Sequence, residues 1–168
     1  MRTGAEGVYA IGDLVGSAQL AHVASHEGIL AVEHLAGTDS VEPMNYDQVP
    51  SCTYCVPEVA SVGLTEAEAK KRGHQVRTAK FPFTAIAKAT ILGETEGFVK
   101  VVGAAKHDEL LGVHIVGPRA TELIAAAAVA LRLESTVEEL FHTIHAHPTL
   151  SEALGEAALG VHGRSIHF

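Results

Sequence analysis

Residues 145–152, His-Ala-His-Pro-Thr-Leu-Ser-Glu, carry the types most able to move a proton. His147 precedes a proline that fixes the backbone, and Glu152 follows five residues on. An imidazole becomes a useful proton acceptor when a partner selects its tautomer and steadies the cation it becomes. Glu152 is placed to be that partner. The run Thr149-Leu150-Ser151-Glu152 also spells a capping box, in which the glutamate bonds back to the cap's amide. Spacing alone leaves Glu152 open between helix cap and catalytic partner, and His147 open between turn residue and base.

Two further sets of residues invite chemistry. Cys52-Thr53-Tyr54-Cys55 has redox or zinc spacing, but no second pair exists for zinc and the β-rich surroundings offer no helix N-terminus to lower a thiol pKa. It reads as two strand cysteines. Among eleven histidines, His22 and His26 share a helix face without a recognisable third ligand. His142, His145 and His147 cluster, but nothing makes them converge on one ion. No metal site is expected.

The elements that must hold these residues follow from periodicity. Residues 8–11 form a short apolar run closed by Gly12-Asp13 and predict a buried strand. Residues 19–35 repeat Leu20, Val23, Leu30 and Leu35 at helical spacing and stop at Gly37, with Gly28 implying close approach of another backbone. Residues 38–50, polar and broken by Pro43 and Pro50, predict a linker between a unit at 1–37 and one at 51–168.

In the second unit Thr65 to Glu68 spell a capping box for a helix that stops at Gly73. Residues 75–83 make an edge strand because of Pro82. Residues 97–102 and 110–116 are the clearest strands, joined through 103–108 as an antiparallel hairpin. A long helix follows, with Pro118 near its first position, Glu122 in its first turn and Leu123, Ala127 and Leu131 on one stripe. Thr136 caps another, carrying Leu140, Phe141 and Ile144 toward the core. Strands then helices predict an α+β fold, an antiparallel sheet with packed helices.

Composition sets outer limits. With 168 residues, 47% of them hydrophobic, the chain can bury a core. A net charge of −8 argues against a nucleic-acid partner, and no run reaches the roughly 18 apolar residues of a membrane span. The start lacks a signal-peptide pattern and the cysteines make no disulfide framework, so a cytoplasmic setting is expected.

Several of these motifs occur together in one known family. Thr3, Gly7 and Tyr9 to Asp13 resemble the second flavin-contacting fingerprint of the flavoprotein disulfide reductases. Tyr54, Pro57-Glu58 and Ala60-Ser61-Val62-Gly63 resemble the opening of their interface domain, although Cys55 and Val56 depart from the usual residues there. The run 145–153 is similar to their active-site signature, in the form found in the branch that oxidises dihydrolipoamide. The glutathione-reductase branch usually carries a second acid where Ala153 stands.

The resemblance implies the last strand and helix of an FAD-binding domain followed by the whole interface domain. It implies that Asp13 bonds a ribityl hydroxyl of FAD after Gly12, and that Gln19, Leu20, Ala21 and His22 supply the helix start facing the flavin. His147 becomes the acid and base and Glu152 its orienter. Electrons would pass from dihydrolipoamide through a redox disulfide and FAD to NAD+. The expected partners are a second copy of the chain and the lipoyl-bearing protein of 2-oxoacid dehydrogenase complexes. The family's glycine-rich FAD loop and its cysteine pair five positions apart do not occur in this sequence. The expectation is therefore a C-terminal part, inactive alone, with a stand-alone dimerisation module, or the same portion of a glutathione-reductase-like enzyme, as the alternative.

Overall fold

The structure is a computed structural model, and it describes residues 1–38 and 42–168. It divides into two compact units, Met1–Tyr46 and Asp47–Phe168. Residues 39–41 of the expected linker lie outside the described residues.

In the first unit a 3-10 turn, Gly12–Val15, precedes helix α1, Ala21–Leu35. Val23, Glu27, Leu30 and Ala31 are its buried stripe. The expected strand at 8–11 is not there: Tyr9 makes a single bridge to Arg2, and Val8 and Ile11 are 52% and 42% exposed. A buried strand needs a ladder on its flanks, and among the described residues this unit has no other strand to supply one. Gly28 does accommodate a close neighbour, but it is a side chain: an added Cβ would stand 3.3 Å from Ile11 Cδ1.

The second unit is built on a five-stranded antiparallel sheet. Its strands are β1 Ser51–Thr53, β2 Glu58–Gly63, β3 Val76–Pro82, β4 Phe98–Ala104 and β5 Leu110–Gly117, in the order β1-β2-β5-β4-β3. Period two sorts the faces. Ala60, Ile115, Val99 and Phe81 line up across four strands, as do Val62, Val113, Val101 and Ala79. Both rows join the core with helices α4, Ala120–Arg132, and α6, Glu152–Val161. The opposite face carries the polar row Ser61, His114, Lys100 and Lys80; there Lys100 reaches Glu66 at 2.7 Å from α2, Glu66–Lys71. Helices α3, Ala87–Leu92, and α5, Val137–His142, complete the unit.

Caps fall where expected at two helices: Thr65 accepts from the Glu68 amide and Thr136 from the Glu139 amide, each at 3.1 Å. Other expectations need correction. The hairpin's first strand runs on to Ala104, so its loop is shorter than 103–108. Pro118 lies two residues before the first helical residue, because Arg119, with φ 55, is the N-cap of α4. Ile144 is 95% exposed, since α5 ends at His142 and the helical stripe ends with it.

The start of α4 is capped from outside. The Thr121 amide and hydroxyl both donate to Glu58 Oε2, at 3.0 and 2.8 Å. These two bonds, with the nearby Arg119 charge, outweigh burial and hold the Glu58 carboxyl below its ordinary range. A depressed carboxyl contributes stability that is present above its unfolded value of 4.5 and lost as pH falls through the folded value. Glu58→Ala is expected to cost about 1–2 kcal/mol at pH 7. Urea unfolding should show that loss shrinking as pH falls below the unfolded value of 4.5.

Candidate active site

The chain between α5 and α6 brings His147 and Glu152 together. His147 Nδ1 lies 2.8 Å from Glu152 Oε1, and the Thr149 amide donates to Oε2 of the same carboxylate, also at 2.8 Å. One carboxylate oxygen thus takes the Thr149 amide, the back-bond of a capping box, although α6 itself starts after Ser151 with no side-chain cap, and the other oxygen meets the imidazole. Burial pushes the Glu152 carboxyl up, but the Thr149 amide, the His147 bond and the charges of His147 and His167 outweigh it and hold it below its ordinary range. An ionised carboxylate only accepts, so His147 Nδ1 donates and Nε2 is left as the basic nitrogen.

The surroundings fix this geometry. The His147–Pro148 bond is cis. Thr149 Oγ1 donates to the Ala146 carbonyl at 2.6 Å, so Ser151, 2.8 Å away, donates to Thr149 in turn. Leu150, Ala153 and Leu154 are buried and root the segment in the core. His147 has 70% of its side chain exposed, against 21% for Glu152. The imidazole faces outward while the carboxylate is held from behind.

The pair lines an open cavity of about 260 Å³ together with His145, Glu156 and His167. The His145 ring rests against α6 at Gly155, where an added Cβ would stand 3.1 Å from Nδ1. Glu156, 6% exposed, accepts from Ile166 N at 2.9 Å and sits 2.7 Å from His167 Nδ1. The sequence reading missed Glu156 and His167. Glu156 has a readable signal, one turn beyond Glu152 among alanines; His167 lies in a tail with no periodicity to place it.

The cysteines stay apart from this site. Both are free, and Cys55 lies outside the strand, its thiol donating to the Pro57 carbonyl at 3.0 Å. Burial, with Glu58 and Glu122 nearby, pushes the Cys52 thiol up. That disfavours the thiolate a redox pair needs. Among the described residues no three His, Cys, Asp or Glu side chains are placed to hold a metal ion.

In the first unit Asp13, Gln19, Ala21 and His22 are exposed, Leu20 is half-buried and Gly12 is buried. A residue not foreseen governs this turn: fully buried Glu27 accepts from the Gly12 amide at 2.7 Å, the Ser17 hydroxyl at 2.9 Å and the Tyr46 hydroxyl at 2.7 Å. Burial raises its pKa, and the three bonds outweigh that and lower it. Its position between Val23 and Leu30 on the buried stripe was the available clue. The exposed Asp13 carboxylate and the start of α1, which has no side-chain cap, fit the hydroxyls and polarised carbonyls of a flavin's edge. The Gly12 amide is already engaged.

Residues 49–158 match the dimerisation domain of the pyridine nucleotide-disulphide oxidoreductases. The chain belongs to that family. Within it, the dihydrolipoyl dehydrogenase of Bacillus subtilis is 56% identical over 161 residues, covering 96% of this chain and 34% of the relative. That of Rhizobium etli is 52% identical over 166 residues, covering 99% and 34%. The crystal structure of LpdA from Mycobacterium tuberculosis superposes with a TM-score of 0.90 at 34% identity, covering 95% of this chain and 35% of that one. The chain thus spans about a third of the length of these oxidoreductases. Its α+β architecture is that of the family's dimerisation domain. Among the described residues no helix is long and apolar enough to cross a membrane.

Proposed function

We propose that this chain is the C-terminal part of a dihydrolipoyl dehydrogenase of the cytoplasm, supplying the acid and base pair and the surface through which two copies join. The observation that carries this is the 2.8 Å contact between His147 Nδ1 and a Glu152 carboxylate pinned by the Thr149 amide. At neutral pH only about 3% of an ordinary thiol is thiolate, the nucleophilic form. His147 Nε2 takes the proton of a dihydrolipoamide thiol, and Glu152 steadies the imidazolium that results. Asp13 and the start of α1 would hold part of FAD, which when bound would supply the two-electron chemistry linking the thiols to NAD+. The thiol substrate would arrive on the lipoyl-bearing protein of a 2-oxoacid dehydrogenase complex.

The 168-residue chain purified alone is expected to show no flavin absorbance and no reduction of NAD+ by dihydrolipoamide. Grafted in place of the matching segment of the Bacillus subtilis enzyme, it is expected to support that reduction. Activity of the isolated chain, or an inactive chimera that has loaded FAD, would overturn the reading. A module that only dimerises is the second reading, favoured by Ile144, 95% exposed at the edge of the cavity. Either reading predicts a dimer, so a monomer in sedimentation at micromolar concentration counts against the joining surface.

A further inference from the structure

The cavity contains a second imidazole and carboxylate pair that the scheme above leaves without a task. Glu156 stands one helical turn beyond Glu152 on α6, and the two carboxylates are held alike. Each has one oxygen on an imidazole Nδ1, at 2.8 Å for Glu152 and 2.7 Å for Glu156. Each has the other oxygen on a backbone amide, at 2.8 Å from Thr149 and 2.9 Å from Ile166. Glu156 Oε2 also takes the His167 amide at 3.4 Å, and the Ser165 hydroxyl donates to its carbonyl at 3.2 Å.

Amides alone would suffice to tie down the tail. The imidazole goes further, because donation from Nδ1 leaves Nε2 of His167 as an open acceptor on a ring that lines the same cavity as His147. With 64% of its side chain exposed, His167 can pass a proton to water, while Glu156, 7% exposed, cannot move away. His167 is also near enough to contribute to the lowering of Glu152.

We propose that Glu156 and His167 form a second proton-accepting pair of this site, which takes the second of the two thiol protons that oxidation of a dithiol must release. This rests on the dithiol reading above. In the first exchange one thiol gives its proton to His147, and its sulfur attacks a cysteine disulfide of the flavoprotein. A substrate-to-enzyme S–S bond forms and one cysteine leaves as thiolate. In the second, the remaining thiol gives its proton to His167 Nε2, and its sulfur attacks the substrate sulfur of that bond. The cyclic disulfide forms and the other cysteine leaves as thiolate. Two protons then sit on two imidazoles, and two electrons on the enzyme's cysteines.

Two measurements test this. In the ¹⁵N-labelled 168-residue chain, long-range ¹H–¹⁵N spectra with neutral rings are expected to show His167 protonated at Nδ1, with Glu156→Gln moving population to the other tautomer. A wild-type ring protonated at Nε2 would overturn the proposal. In the chimera, His167→Gln is expected to lower dihydrolipoamide oxidation about tenfold, leaving NADH oxidation by ferricyanide, which bypasses the thiols, unchanged. Free imidazole should recover part of the loss in His167→Gly. An unaltered dithiol rate, or loss of both activities together, would overturn it. Loss of activity in His147→Gln with none in His167→Gln sinks only this inference, whereas no loss in either sinks the dithiol reading itself.

Discussion

Replacing His147 with Gln is expected to lower dihydrolipoamide oxidation by the chimeric enzyme by about 10²- to 10⁴-fold. The amide keeps the volume and a donor for Glu152 but has no basic nitrogen where Nε2 stands. NADH oxidation by ferricyanide should be retained, since it requires no thiol proton. Glu152→Gln tests the other half. It leaves an oxygen in reach of Nδ1 but removes the charge that selects the tautomer and steadies the imidazolium, so a loss of at least about tenfold is expected. A His147→Gln rate within threefold of the parent would show that this imidazole, despite its 2.8 Å contact, is not the base.

Gly97→Ala is expected to cost at least about 4 kcal/mol, enough to unfold much of a domain whose whole stability is of the order of 5–15 kcal/mol. Gly97 enters β4 with φ +110, and an added Cβ would stand 1.8 Å from the Val116 carbonyl oxygen and 2.6 Å from its carbon. Those atoms belong to β5, whose Val116 pairs with Phe98. Neither strand can yield without breaking the central ladder. The Gly97 carbonyl also accepts the Phe83 amide at 3.1 Å. Gly93→Ala is the control: its φ is +72, nothing lies within 4 Å of an added Cβ, and a cost of about 1–2 kcal/mol is expected. Urea unfolding followed by circular dichroism compares the two. Equal costs would refute the close crossing of these backbones.

Much of the second unit can be read from its residues because the controlling signals are local. Strand alternation in 110–116 and the capping boxes at Thr65 and Thr136 need no knowledge of distant contacts. The edge placement of β3 followed from Pro82 alone. The contact between His147 and Glu152 was legible from their five-residue spacing, while their roles came only from the family resemblance. What the sequence hid depends on partners far along the chain. Glu58 caps a helix that begins more than sixty residues later, and Glu156 finds His167 only after the tail turns back over α6. Residues 8–11 misled for a related reason, since apolar β-type residues express strand propensity only when a ladder is available to join. Ile144 misled because helical spacing was carried past the point where the helix stops.

The sheet's margins bear on how this unit meets other molecules. β1 is only three residues long. β3, at the far edge, ends in Pro82, which offers no amide, and has exposed Arg77 and Lys80 along its length. Short, charged or proline-bearing margins are poor templates for strand addition. Two such sheets therefore resist merging into one continuous ribbon, so ordered association falls to helices and side-chain surfaces, and the hydrophobic strands between the margins are shielded from runaway aggregation.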